Sequence, residues 1–488
     1  MGAALGGFGE AMLAQGEVIA FPAPNGVEAS PDYQVQAGGK NIFVHKTPVL
    51  SFAAFEFRGE AELILTVNRP IKNPVIRPLA LGIKPTVEGN TLRFRVSHPC
   101  HLVVEVDDDL RRPLFLFADG LEDNTPKPGD PNVRFFEGGK VHEAGTIQLK
   151  DHETVYLAGG AVVRGIIRAK NITDARILGP GILDASLRPD KAKMMELNTC
   201  TNIELNGPVV LGSFGWTIVP EFSEDIHLRN LKVLGWRDND DGVDVVSCRR
   251  VTVDDCIFRT KDDCISVKAL VNSGKSTVAV DNFEPVAPPL NAVGPSASNV
   301  EDLRVRNSTF WSSPLGHALT VGFELRAAKI QGISFENCDI VKKEAGPAFS
   351  IDNADFGAVE DVRFENIRVE DGCDKLLMLQ VGFFKYSGDC PFEFARRNPA
   401  RKDNKGAEWT QLMNEKRASK RGVIRNVLLK DVQISGPRMP GSEIRGFTPA
   451  NEVSNVVFRN VTFQGKVLQS AAEANLQIQN ATNIRFEK

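Results

Sequence analysis

From Pro31 to Asn132 the chain is a series of short runs, among them AELILTV, TLRFRV and HLVVEVD, in which apolar and polar residues alternate. Alternation at period two gives a strand one buried side, and the Pro, Gly, Asn and Asp residues between the runs mark where each strand stops. The pattern predicts an antiparallel β-sandwich over residues 31–132. No acidic or histidine cluster stands out within it, so it reads as a structural cap or a carbohydrate-contacting module. The stretch DNTPKPGDPN, 123–132, is rich in turn formers and reads as a linker between the sandwich and the remaining two thirds of the chain.

Beyond the linker one phrase recurs: two apolar residues at alternate positions, then Asn or Asp. It appears as IHLRN (226–230), VTVDD (251–255), LRVRN (303–307), ISFEN (333–337), VRFEN (362–366), VLLKD (427–431) and VVFRN (456–460). The closing Asn or Asp steps by 25 residues from Asn230 to Asp255, by 30 from Asn307 to Asn337 and by 29 from Asn337 to Asn366. Self-similarity at this period marks a solenoid, and strand alternation without a helical stripe selects a right-handed parallel β-helix over residues 133–488. The repeating Asn and Asp are expected to form a corner ladder, each side-chain amide bonding to the next coil. Two steps are longer, 52 residues from Asp255 to Asn307 and 65 from Asn366 to Asp431. They predict insertions at 271–299 and 374–421 that wall one end of a groove. The second includes a short helical pattern, AEWTQLMNEKRASK, and the basic residues Lys385, Arg396, Arg397, Arg401 and Lys402.

The segment from Trp236 to Lys268, WRDNDDGVDVVSCRRVTVDDCIFRTKDDCISVK, carries two acidic clusters on either side of a short alternating strand. Asp238, Asp240, Asp241 and Asp244 form the first, and Asp262 and Asp263 the second. Val251, Val253 and Cys256 read as inward positions, and Arg250, Thr252 and Asp254 as outward ones. Asp241 and Asp262 are 21 residues apart, about one coil, so the clusters are expected to stack at about the 4.8 Å spacing of neighbouring strands, Asp262 against Asp241. Crowded carboxylates raise at least one pKa, which leaves one group protonated beside another that is ionised. Cleavage of an acetal requires that division.

The totals narrow the partners. A formal net charge of −4 and 25% charged residues mark neither disorder nor a polyanion-binding protein, so no nucleic-acid partner is expected. No later run approaches the roughly eighteen apolar residues needed to cross a membrane, so no membrane partner is expected either. The first fifteen residues, MGAALGGFGEAMLAQ, are small and apolar but lack a basic start. Residues 1–30 therefore read either as a trimmed export signal, with a secreted or periplasmic protein, or as a disordered terminus. The eight cysteines include no C-x-x-C pair. Cys248, Cys256 and Cys264 read as buried thiols, and Cys373 and Cys390 flank the second insertion, where an oxidising compartment could bridge them. Oligomeric state is left open by these features.

Three motifs in order, NDDGVD (239–244), KDDCISVK (261–268) and GHALTVGFE (316–324), resemble glycoside hydrolase family 28, the polygalacturonases. The resemblance covers about Val133 to Lys488. A sandwich ahead of the helix is instead like the dextranases of family 49. The resemblance implies an inverting glycoside hydrolase without a cofactor: Asp262 as the general acid, Asp241 and Asp263 holding and deprotonating the attacking water. It further implies that His317 orients the acid or touches substrate, with Lys268, Asp244 and Glu324 as the remaining candidate substrate-site residues.

The departures bear on the sugar. Asp240, Lys261 and Ala318 stand where the family pattern has Thr, Gly and Gly, and Ser350-Ile351-Asp352 stands where it has Arg-Ile-Lys. The resemblance gives that Arg and Lys the task of gripping the galacturonate carboxylate, a charge-assisted contact that Ser and Asp cannot make. Glucose, galactose or fructose therefore remains open beside galacturonate. Two rival readings stay in view: a β-helix polysaccharide lyase with calcium on its acids, and a non-catalytic carbohydrate-binding solenoid.

Overall fold

The computed structural model describes residues 16–270, 299–371, 374–384, 386–388 and 420–488. Residues 271–298 of the expected insertion 271–299, the basic cluster and all but the last residue of the helical pattern of the second insertion, the Cys373 and Cys390 pair and the first fifteen residues lie outside them. The chain divides into two compact units, Met1–Thr125 and Pro126–Lys488.

In the first unit, strands form a six-stranded and a five-stranded sheet. Strand Ala61–Val67 shows how the pattern acts: Ala61, Leu63, Leu65 and Val67 are buried, while Glu62, Ile64 and Thr66 are more exposed. The inward set packs with Val35, Phe55, Phe57, Leu92, Leu102 and Leu116 into one apolar core. Pairing is antiparallel except where Leu114–Gly120 runs parallel to Ser51–Arg58. The sheet also begins earlier than expected. Glu17–Ala20 pairs with the 55–58 end of Ser51–Arg58, because Val18 finds a buried place and the backbone finds ladder partners. Residues 16–30 are thus part of this unit rather than a detached terminus.

The second unit is a right-handed parallel β-helix whose 31 strands form one continuous ladder. Strands pair in parallel with their counterparts on neighbouring coils, apart from Lys466–Val467, which pairs antiparallel with Thr462–Phe463. The recurring phrase of the sequence is one such column, running through Glu224–Arg229, Arg249–Asp254, Val300–Arg306, Lys329–Lys343, Ala358–Val369, Val423–Lys430, Val453–Arg459 and Ala481–Glu487. Val251 and Val253 point inward, whereas Arg250, Thr252 and Asp254 do not. The interior is apolar and layered. Phe258 stacks on Phe310 at 5.4 Å, Phe335 on Phe364 at 5.1 Å and Phe458 on Phe486 at 4.7 Å between ring centroids. Cys248, Cys256 and Cys264 are buried free thiols in this core, each pushed up to about 12 by burial.

The corner ladder forms through side-chain amides: Asn337 Nδ2 donates to Asn307 Oδ1 at 2.8 Å, Asn366 Nδ2 to Asn337 Oδ1 at 3.1 Å and Asn460 Nδ2 to Asp431 Oδ1 at 2.6 Å. Asn307, Asn337 and Asn366 all have φ near 52°. Asn and Asp tolerate this left-handed conformation better than other side chains with a Cβ, which is why the repeat ends on them. A second corner has the same chemistry at Asn426, Asn455 and Asn483, linked at 3.1 and 2.5 Å. Strand Lys375–Val381 continues the helix by pairing with Pro347–Asn353, so the second insertion starts after Val381 and not at 374. Among the described residues no helix is long and apolar enough to cross a membrane.

Candidate active site

The acids lie in turns that lead into one strand column. Val243–Val246, Ile265–Ala269 and Leu319–Leu325 pair in register, Val243 with Ile265 and Ile265 with Leu319. The turns ahead of them therefore stack. Gly242 N donates to Asp263 O at 2.8 Å, and Cys264 N donates to His317 O at 2.9 Å. Asp241, Asp263 and His317 thus occupy equivalent places on three consecutive coils. Asp263, not Asp262, is the residue opposite Asp241, which corrects the expected stacking by one position. Such close stacking leaves no room for side chains in between. A Cβ on Gly242 would meet Cys264 O at 2.4 Å, and one on Gly316 would meet the Asp262 carbonyl carbon at 2.1 Å.

Asp240 shapes the second turn. Fully buried, it accepts hydrogen bonds from Arg237 N at 2.9 Å, Lys261 N at 2.7 Å and Asp262 N at 3.0 Å. Burial raises its carboxyl to about 7 although those three donors pull the other way. The Asp at this place, where the family pattern has Thr, thereby ties the two acidic clusters together. Asp238 stands apart and exposed, paired with Lys261 at 2.5 Å.

Asp262 is only partly buried. Burial and then the neighbouring Asp263 raise it to about 6. Asp263 is buried, which by itself would raise it, but His317 overrides that and holds it below the usual carboxylate range. The His317 ring Nδ1 lies 3.0 Å from Asp263 Oδ1, and the His317 backbone N–H donates to the same oxygen at 2.6 Å. In return Asp263, with Asp352 on the next coil, raises the imidazole against its burial. Asp241 is pushed well above the carboxylate range, first by burial and then by Asp244, Asp262 and Asp263, and its Oδ1 is buried without a hydrogen-bond partner.

Lys268 and Asp244 lie deeper than expected. Asp244 is wholly buried and raised to about 7, chiefly by burial. Lys268 Nζ sits 3.5 Å from Asp244 Oδ1, 3.8 Å from Glu324 Oε2 and 4.9 Å from the Trp216 ring centre. Burial would lower this ammonium, but Glu324 and Asp244 raise it above its ordinary value. Both residues therefore support the floor of the site, while the half-buried Glu324 and His317 stay within reach of a ligand.

Three side chains of the site carry no signal strong enough to have been singled out from sequence. Trp216 lies over Lys268, and Phe323 packs against His317 at 5.9 Å and against Tyr386 at 5.1 Å between ring centres. Phe323 could have been noticed inside GHALTVGFE; Tyr386, one of only three tyrosines, follows no motif. Ser350 and Asp352, which stand where the family pattern has Arg and Lys, lie in the same strand column. Ser350 Oγ pairs with Thr320 Oγ1 at 2.6 Å, and Asp352 accepts from Gln380 Nε2 at 2.5 Å.

Fold and site together define a parallel β-helix with carboxyls gathered over consecutive coils beside a histidine. Residues 182–383 match the family described as glycosyl hydrolases family 28, and the chain resembles that family. A probable polygalacturonase from Vitis vinifera is 26% identical over 119 residues, 21% of this chain and 24% of that protein, so the match spans about a quarter of the plant sequence. Among solved structures, Dex49A from Penicillium minioluteum is similar over 96% of both chains, with 12% identity and a TM-score of 0.57, a likeness of fold. A family 28 exopolygalacturonase from Yersinia enterocolitica covers 96% of both chains at 13% identity with a TM-score of 0.49.

Proposed function

We propose that this protein is a glycoside hydrolase that cleaves a poly- or oligosaccharide with inversion at the anomeric carbon. The observation that carries the reading is the splitting of two adjacent carboxyls. Asp262, partly exposed, is protonated up to about pH 6, whereas Asp263 beside it is held ionised by His317. An acid and a base side by side at one pH meet the need of acetal hydrolysis.

Asp262 gives its proton to the leaving glycosidic oxygen as the bond to the anomeric carbon breaks. Water attacks that carbon from the opposite face, and Asp263 takes the proton the water releases. Asp241, whose Oδ1 has no protein partner, holds the water. Return of one proton from Asp263 and gain of one by Asp262, both through solvent, restore the site. His317 keeps Asp263 anionic, and Glu324 accepts hydrogen bonds from sugar hydroxyls.

Proton NMR of the first product tests the reading. The new reducing end should appear with the anomeric configuration opposite to that of the bond cleaved, and retention would overturn the inverting assignment. Release of unsaturated products absorbing in the ultraviolet would instead identify a lyase.

A further inference from the structure

We propose that the glycan taken by this site is built of neutral, hydroxyl-bearing sugars rather than uronic acids, seated against the rings of Phe323 and Tyr386 and hydrogen-bonded by Glu324. This rests on the hydrolase reading above and names its substrate class.

The first support is the distribution of charge. Asp241, Asp262, Asp263 and Asp244 interact with one another, and Asp352 joins them through His317. Among the described residues, the cations around them are already held. Lys268 lies between Asp244 and Glu324, His317 bonds Asp263, Lys261 bonds Asp238, and Arg326 bonds Asp355 at 3.2 Å. The buried Lys343 and Arg259 direct their donors to main-chain carbonyls, of Ser313 and Ala345 in the one case and of Gly235 in the other. A sugar carboxylate would meet the ionised Asp263 and would have to take a cation away from an existing partner. Placing like charges together disfavours such a ligand, whereas a hydroxyl meets no comparable penalty.

The second support is the ring wall. Phe323, half-buried, meets Phe384 at 5.3 Å and Tyr386 at 5.1 Å between ring centres, and the Tyr386 phenol lies within charge range of Glu324 and Asp262. Flat apolar faces beside a few fixed polar groups suit a pyranose or furanose, whose C–H face stacks while its hydroxyls find acceptors. Arg326 donates to the Tyr386 main-chain carbonyl at 2.8 Å and so anchors the backbone that carries the ring.

The test uses the full chain carrying Asp262→Asn, so that ligands bind without turnover. Dextran, galactan and fructan oligomers are compared with oligogalacturonate by titration calorimetry, and the same set is offered to the wild type for hydrolysis. At least one neutral oligomer should bind about tenfold or more tightly than oligogalacturonate. Phe323→Ala or Tyr386→Ala should weaken its binding about tenfold while the thermal midpoint holds. Glu324→Gln, less disturbing to packing, should weaken it as well. Tighter binding of oligogalacturonate, or binding of none of these, overturns the inference. If a neutral oligomer binds but the wild type releases no reducing ends, the hydrolase reading falls while the substrate class stands. If the wild type cleaves polygalacturonate in preference, the reverse holds.

Discussion

Asp263 Oδ1 receives two hydrogen bonds from one residue, His317, whose ring Nδ1 lies at 3.0 Å and whose main-chain N–H lies at 2.6 Å. This double contact is possible because Asp263 and His317 hold the same place on adjacent coils, so ring and backbone approach the carboxylate together. It turns a crowded, buried carboxyl into the ionised member of the site.

If the imidazole keeps Asp263 ionised, its removal should raise the Asp263 pKa. His317→Gln is expected to lose activity more steeply at pH 4.5 than at pH 6, because the acidic limb of the profile moves upward. Profiles of kcat/KM against pH check this; a uniform loss at every pH would leave His317 with a steric role only.

Asp262 is the partly exposed acid, and the main-chain bonds that shape its turn come from Asp240. Asp262→Asn should therefore lower kcat by about 10²–10⁴ while the thermal midpoint stays within a degree or two. Rates near normal would remove Asp262 from the mechanism. In the wild type, activity should decline as pH rises past about 6, where Asp262 loses its proton.

Asp240 predicts a different outcome. Asp240→Ala leaves three main-chain N–H groups, those of Lys261 and Asp262 in the Asp262 turn and that of Arg237, without their acceptor, at a cost of about 2–4 kcal/mol in urea unfolding, and activity should fall with it. A stability change below about 0.5 kcal/mol would show that water replaces the carboxylate.

Buried acids also set how stability varies with pH. Asp240 and Asp244 are raised to about 7 from 3.8, so the folded chain binds these protons more tightly than the unfolded one. Their contribution is fully present below about pH 4 and is lost as pH rises through 7. Asp244→Asn should flatten the decline of the thermal midpoint between pH 5 and 8, and an unchanged slope would assign that decline to other groups.

The corner ladder can be tested far from the acids. Asn337→Ala breaks the bonds to Asn307 and Asn366 and places a Cβ without a polar side chain at φ 51°, which should cost about 1–2 kcal/mol without altering turnover. A loss of activity would mean that the corner and the site are coupled.

Much of this was readable in one dimension. Alternation at period two and an Asn or Asp every 25 to 30 residues determined the coil, its column and its ladder, because a strand declares its buried side and a left-handed corner accepts few residue types. Three motifs in order located Asp241, Asp262, Asp263 and His317. What only the tertiary structure decided was the pairing across coils. The turn residues have no periodicity of their own, so the one-place difference that sets Asp263 against Asp241 comes from main-chain bonds between strands that are far apart in sequence. Depth was decided there too. Lys268 is covered by neighbours from other coils, Trp216 among them, and the partners of a charge, which determine whether it meets a ligand or supports the floor, are supplied by chain that no local pattern can name.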